Sequence, residues 1–146
     1  MELLDQKLVE QKLASLQKYL AEIRPYLRGS AEQFERDATR RRAVERLTQV
    51  IVECAIDTNN LVIQSLDLPP AESAKETFRQ LQQQGILNDY VTNRYVEKYV
   101  GLRNVIVHLY EKIEPKTLFY STKRLVRDSE EYTRQIQKFL LARSRR

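Results

Sequence analysis

Apolar side chains return at every third or fourth position along this chain, first at Val9, Leu13, Leu16, Leu20, Ile23 and Leu27. That step is the period of a helix with one buried face, whereas a strand would alternate. The same step recurs at Val44, Leu47, Ile51, Cys54, Thr58 and Val62, and again at Tyr95, Tyr99, Leu102, Ile106, Leu109 and Ile113. A sheet of short strands would need a turn signal about every 8–12 residues. With 3 Gly and 4 Pro in 146 residues, the chain lacks them. An all-α class follows.

Punctuation divides the helices. Arg28-Gly29-Ser30 ends the first, with Gly29 suited to a left-handed cap and Ser30 to capping a long second helix. Asp67-Leu68-Pro69-Pro70 breaks the chain, and a shorter third helix turns Ala74, Phe78 and Leu81 inward before Gly85 closes it, with Ile86 as the apolar contact. Asn88 or Asp89 caps the fourth helix, which Glu114-Pro115 stops. A fifth carries Leu118, Leu125, Tyr132, Ile136 and Phe139 inward. Short connections between such helices predict an antiparallel up-and-down bundle of four to five helices, in one domain over residues 1–146.

The net charge of +5 lies wholly at one end, because residues 121–146 hold 8 Lys+Arg against 3 Asp+Glu. Lys138, Arg143, Arg145 and Arg146 make that end either a solvated helix terminus or a phosphate-attracting surface. A second group, Arg36, Arg40, Arg41, Arg42 and Arg46, alternates with Glu35, Asp37 and Glu45 and reads as a solvated helix face. One cysteine and one histidine offer neither a disulfide framework nor a metal cluster, so no metal and no cofactor is expected. No run of ~18 apolar residues occurs, and the charged start MELLDQKLVE is unlike a signal peptide. A cytoplasmic protein without a membrane partner is the expectation.

The fourth helix contains a conflict. Beside its stripe a second row runs Val96, Val100, Arg103, Val107, Tyr110, so an arginine fills a slot suited to valine. An unpaired guanidinium in an apolar core is costly. Arg103 therefore pairs with a carboxylate, Asp57 and Glu53 being the nearest candidates, or looks into a cleft that admits an anion. His108 stands five residues on, about 140° away around an ideal helix at about 100° per residue. For both to reach one small group, either the helix ends or bends between Asn104 and His108, or His108 meets Arg103 of a second copy. Gly101 and Val105 share the His108 face and suit close approach by a twin, which favours a two-fold homodimer.

The run RNVIVHLY, Arg103 to Tyr110, and the upstream IVECAIDTNNLVIQSLDLPPAESAKETFRQLQQQGIL resemble the HEPN-domain proteins, specifically the HepT-like toxins encoded beside a minimal nucleotidyltransferase antitoxin. The pattern there is arginine, four to six residues, histidine, then often x-Tyr, and the likeness covers roughly residues 40 to 140. One departure is Leu109, where many relatives carry glycine or a polar residue. The resemblance implies a metal-independent endoribonuclease toxin of a type VII toxin–antitoxin system, working on RNA as a homodimer. Arg103 and His108 would be catalytic, with Asn104, Asp57 and Asn60 supporting the cleft. It further implies that the cognate antitoxin attaches AMP to Tyr110 and so silences the toxin. The alternative of another class is a non-catalytic helical adaptor whose cleft binds a nucleotide or a partner protein.

Overall fold

The computed structural model of the chain describes residues 3–108 and 113–144. Helix α1 (Leu3–Ile23) continues into a 3-10 turn (Arg24–Leu27) that Pro25 opens. The predicted stripe from Val9 to Leu27 is buried along its whole length. Gly29, at φ +81°, reverses the chain in the left-handed region. Ser30 then caps α2 (Ala31–Arg36) through a capping box, accepting from the Gln33 amide while the Gln33 side chain accepts from the Ser30 amide.

The second predicted helix is split. Asp37 leaves helical geometry and caps α3 (Ala38–Ser65), so a six-residue α2 stands apart from the long α3. The arginine group that reads as a solvated face secures this corner. Arg40 donates to the carbonyls of Tyr26 and Arg28, and Arg41 to that of Glu35. Helix α4 (Ala74–Gln83) starts at a Ser73 cap and ends at Gly85, where the Ile86 amide donates to Leu81 O at 2.9 Å. Phe78 and Leu81 are buried as predicted, and Leu87 rather than Ile86 is the buried residue behind the cap.

Asn88 caps the fourth predicted helix, which is three segments in succession: α5 (Asp89–Arg94), a π-helical turn (Tyr95–Tyr99) and α6 (Val100–His108). In the π turn the Val100 amide donates to Tyr95 O, five residues back instead of four. The extra residue advances the helix by about 100°, which places Val91, Tyr95, Tyr99 and Val100 all in the core. Leu102 and Ile106 are only half-buried, and Leu109 lies outside the described residues. Pro115 opens α7 (Pro115–Ser144), and the Glu114 carboxylate accepts from the amides of Lys116 and Thr117. What reads as a stop for one helix is the start of the next.

Helix α3 is the central element, packed along α1 and against α4, α6 and α7. Phe78 stacks on Tyr95 at 4.5 Å between ring centroids, and Tyr132 lies 5.5 Å from Tyr95. The buried tyrosine hydroxyls are satisfied. Tyr132 donates to Asn59 Oδ1 at 2.6 Å, and Tyr95 shares a hydrogen bond with Ser129 at 2.7 Å. Cys54 is buried as its stripe predicts, and burial pushes its thiol up to about 11, which leaves it unreactive. Among the described residues there is no strand, and no helix is long and apolar enough to cross a membrane.

Candidate functional site

Helix α6 places the motif, and α3 supplies the surface against which its arginine rests. Arg103 is half-buried, its side chain 28% exposed. Its guanidinium donates from Nε and Nη2 to a single oxygen, Glu53 Oε1, at 3.3 and 3.1 Å, and from Nη1 to Asn104 Oδ1 at 3.0 Å. Gln49, one turn back on α3, donates to the same Glu53 oxygen at 3.0 Å. The conflict in the sequence is thereby resolved both ways. The charge has a carboxylate partner, and the group still reaches the surface.

Glu53, Asp57 and Asn60 stand at i, i+4 and i+7 and so share one face of α3. Glu53 meets Arg103. Asp57, exposed, pairs with Lys12 of α1 at 3.4 Å, and Asn60 is exposed two turns beyond Glu53. The amide that enters the core is the neighbouring Asn59, which bridges Tyr132 to Thr77 across α3, α7 and α4. Asn104 is half-buried and acts on Arg103 itself.

His108 is exposed in the last turn of α6. The helix is continuous from Val100 to His108, so no break separates Asn104 from the imidazole. Five residues of regular helix set Arg103 and His108 about 140° apart. Within one chain they point to different sides. Tyr110 lies outside the described residues. Beside α6 is a groove of about 610 Å³ between Val105, Ile106 and Ile113 on one wall and Arg41, Arg42 and Glu45 of α3 on the other. Among the described residues no group of three or more His, Cys, Asp or Glu side chains could hold a metal ion.

A polar centre that spacing alone does not signal stands behind the motif. Asp128 of α7 is 2% exposed and accepts from Tyr90 at 3.0 Å, from Arg94 Nε at 3.0 Å and from the Tyr99 hydroxyl. Burial raises its carboxyl, but the hydrogen bonds from Tyr99, Arg94 and Tyr90 outweigh that and hold it below the ordinary aspartate range. Burial, assisted by the hydrogen bond to Asp128, pushes the Tyr99 hydroxyl far above the ordinary tyrosine range, so it remains a donor. The partners are 29 to 38 residues apart in sequence, beyond the reach of any helical periodicity.

Residues 16–136 match the family model described as Ribonuclease HepT-like. The tRNA nuclease HepT of Aphanizomenon flos-aquae is 26% identical over 134 residues, spanning 92% of this chain and 90% of that protein. The mRNA nuclease HepT of Shewanella oneidensis is 25% identical over 121 residues, spanning 83% and 90%. Among solved structures, the tri-AMPylated Shewanella oneidensis HEPN toxin in complex with an MNT antitoxin superposes with a TM-score of 0.80, at 24% identity over 89% of this chain and 96% of that one. The fold is that of a HEPN toxin. With the helical bundle, the α6 motif and a family match across most of its length, this chain belongs to the HepT-like ribonuclease family.

Proposed function

We propose that the chain is a metal-independent endoribonuclease toxin that cuts RNA as a homodimer, with Arg103 and His108 catalytic, and that a nucleotidyltransferase antitoxin silences it by attaching AMP to Tyr110. The observation that carries this reading is the unbroken α6. Its guanidinium is docked on α3 and its imidazole is exposed on another side, a geometry that serves one phosphodiester only when a second copy faces the first.

The chemistry then needs only these side chains. A neutral His108 takes the proton from a ribose 2′-hydroxyl while that oxygen attacks the adjacent phosphorus, and the P–O5′ bond breaks. The His108 of the second copy, protonated, gives its proton to the departing 5′ oxygen. The products are a 2′,3′-cyclic phosphate and a free 5′-hydroxyl. Arg103 faces the equatorial oxygens, where negative charge grows in the transition state, and its planar fork matches them. Asn104 and Glu53 hold the fork in place, with Asp57 and Asn60 continuing the polar wall of α3. AMP on Tyr110, two residues beyond His108, would bring bulk and phosphate charge to the cleft and exclude RNA without unfolding the toxin.

Purified protein incubated with total RNA and EDTA should cleave it, and His108→Ala should abolish cleavage while leaving the thermal melt unchanged. Coexpression with a cognate nucleotidyltransferase antitoxin should add one or more AMP units to the intact mass, and Tyr110→Phe should take none. Inert wild-type protein that still binds nucleotide would overturn the nuclease reading in favour of the adaptor.

A further inference from the structure

On the His108 side of α6 the molecule has a second, smaller groove of about 210 Å³, formed where the π turn and α6 lie against α7. Arg94, Lys98 and Arg124 contribute three cations to its lining, with Ser121 beside them and Gly101 and Val105 between, and among the described residues no carboxylate lines it. One of the cations is compensated from behind: Asp128 binds Arg94, and Arg94 in turn donates from Nη2 to the Tyr99 hydroxyl at 3.1 Å. Lys98 and Arg124 are exposed, and Ser121 Oγ accepts weakly from Arg124 at 3.5 Å. The groove thus presents two exposed cations, with no carboxylate partner among the described residues, beside a fixed guanidinium. A Cβ built on Gly101 would meet nothing within 4 Å, so the α6 backbone there is open to close approach.

Gly101, Val105 and His108 stand at i, i+4 and i+7, on one face of α6. The groove therefore opens on the same side as the imidazole, one to two turns away, or roughly 5–10 Å along the axis. Its three lining cations and its distance from His108 suit the backbone of a nucleic acid strand extending beyond the bond to be cut.

We propose that this groove is a phosphate subsite for single-stranded RNA, in which Lys98 and Arg124 grip a backbone phosphate next to the scissile one and Arg94, fixed by Asp128, presents a preformed fork. The proposal rests on the ribonuclease reading and adds to it the path of the strand. Base identity plays no part in such a grip, so the subsite adds affinity and register without sequence preference.

A single-stranded 2′-O-methyl oligoribonucleotide, which cannot be cleaved by 2′-hydroxyl attack, is titrated against the protein over a range of salt concentrations. Removing two phosphate-binding cations in Lys98→Gln/Arg124→Gln should lower the slope of log affinity against log salt by roughly 1.4, at about 0.7 for each contact to a single strand, and weaken binding by roughly tenfold at low salt. Lys7→Gln/Lys18→Gln, exposed on α1, lowers the net charge equally and should keep the slope. A slope and affinity the same as wild type in the groove variant overturn the subsite, as does equal loss in both variants, which would make the effect one of net charge alone. Lost binding of the nucleotidyltransferase with RNA binding intact would make the groove a protein-docking surface and also overturn it. Cleavage of total RNA by the wild type, read separately, reports on the ribonuclease reading: an inert wild type with the expected slope change would sink that reading and keep the subsite.

Discussion

Arg103 and Glu53 form an ion pair in which both side chains remain about a third exposed, so the pair itself contributes on the order of 1 kcal/mol or less to stability. Its effect lies in orientation. Two donors of the fork converge on one carboxylate oxygen and a third meets Asn104, which leaves few rotamers open to a long side chain. A lysine at 103 keeps the charge but has no fork to lay against a phosphate and cannot hold Glu53 and Asn104 together. Arg103→Lys should therefore lose about 100-fold in kcat, the equivalent of roughly 3 kcal/mol of transition-state stabilisation, with little change in melting temperature. Glu53→Gln keeps an accepting oxygen and removes the neutralising charge. Steady-state cleavage of a defined oligoribonucleotide should show its kcat falling about tenfold while KM stays level or drops, because the guanidinium attracts phosphate more freely yet is held less firmly. An unchanged kcat would leave Glu53 a structural partner only.

Asp128 joins elements instead of residues, since its three donors come from α5 and the π turn while it stands on α7. A carboxyl held below its unfolded value stabilises the fold above that value, and the stabilisation is lost as pH falls through the folded one. The wild-type protein should thus lose stability in urea melts as the pH drops below about 4, and Asp128→Asn should flatten that acid limb. At neutral pH the same variant leaves Arg94 facing a neutral amide and should cost roughly 2–3 kcal/mol. A variant with the wild-type acid profile would remove Asp128 from that role. The contrast between what was legible and what was not follows the same division. The stripes of α1 and α3, the Ser30 and Asn88 caps and the Gly29 and Gly85 stops were readable because each is decided within a few residues. The Asp37 cap was hidden inside a charge-rich run, and the π turn was hidden because it changes the hydrogen-bond step without changing residue types. At the site, Arg103 announced its need for a partner by standing in a valine row, and Glu53 was within sight on the right helix. Arg94, Lys98 and Arg124 gave no such sign, as exposed-looking cations belong on any helix surface and only the packing of α7 against the π turn gathers them.

At the scale of the whole molecule, the arrangement of one arginine and one histidine on different sides of a continuous helix makes the number of histidines per cleft a measurable quantity. Acid–base cleavage with a base at the 2′-hydroxyl and an acid at the leaving oxygen uses two imidazoles at once, and this chain has one. A two-fold dimer supplies both to a shared cleft, whereas two independent sites would each use one. Wild-type and His108→Ala chains, unfolded together in equal amounts and refolded, pair at random into wild-type, mixed and variant dimers. If both histidines act on one phosphodiester, only the wild-type dimers work and activity should fall to about a quarter; if each site uses one, the mixed dimers keep a working site and activity should fall only to about half. The titration should follow the square of the wild-type fraction, with mass photometry or sedimentation reporting that dimers persist throughout. A straight line through the origin would show that each imidazole works alone, and the shared cleft would have to be abandoned even if the ribonuclease activity stood.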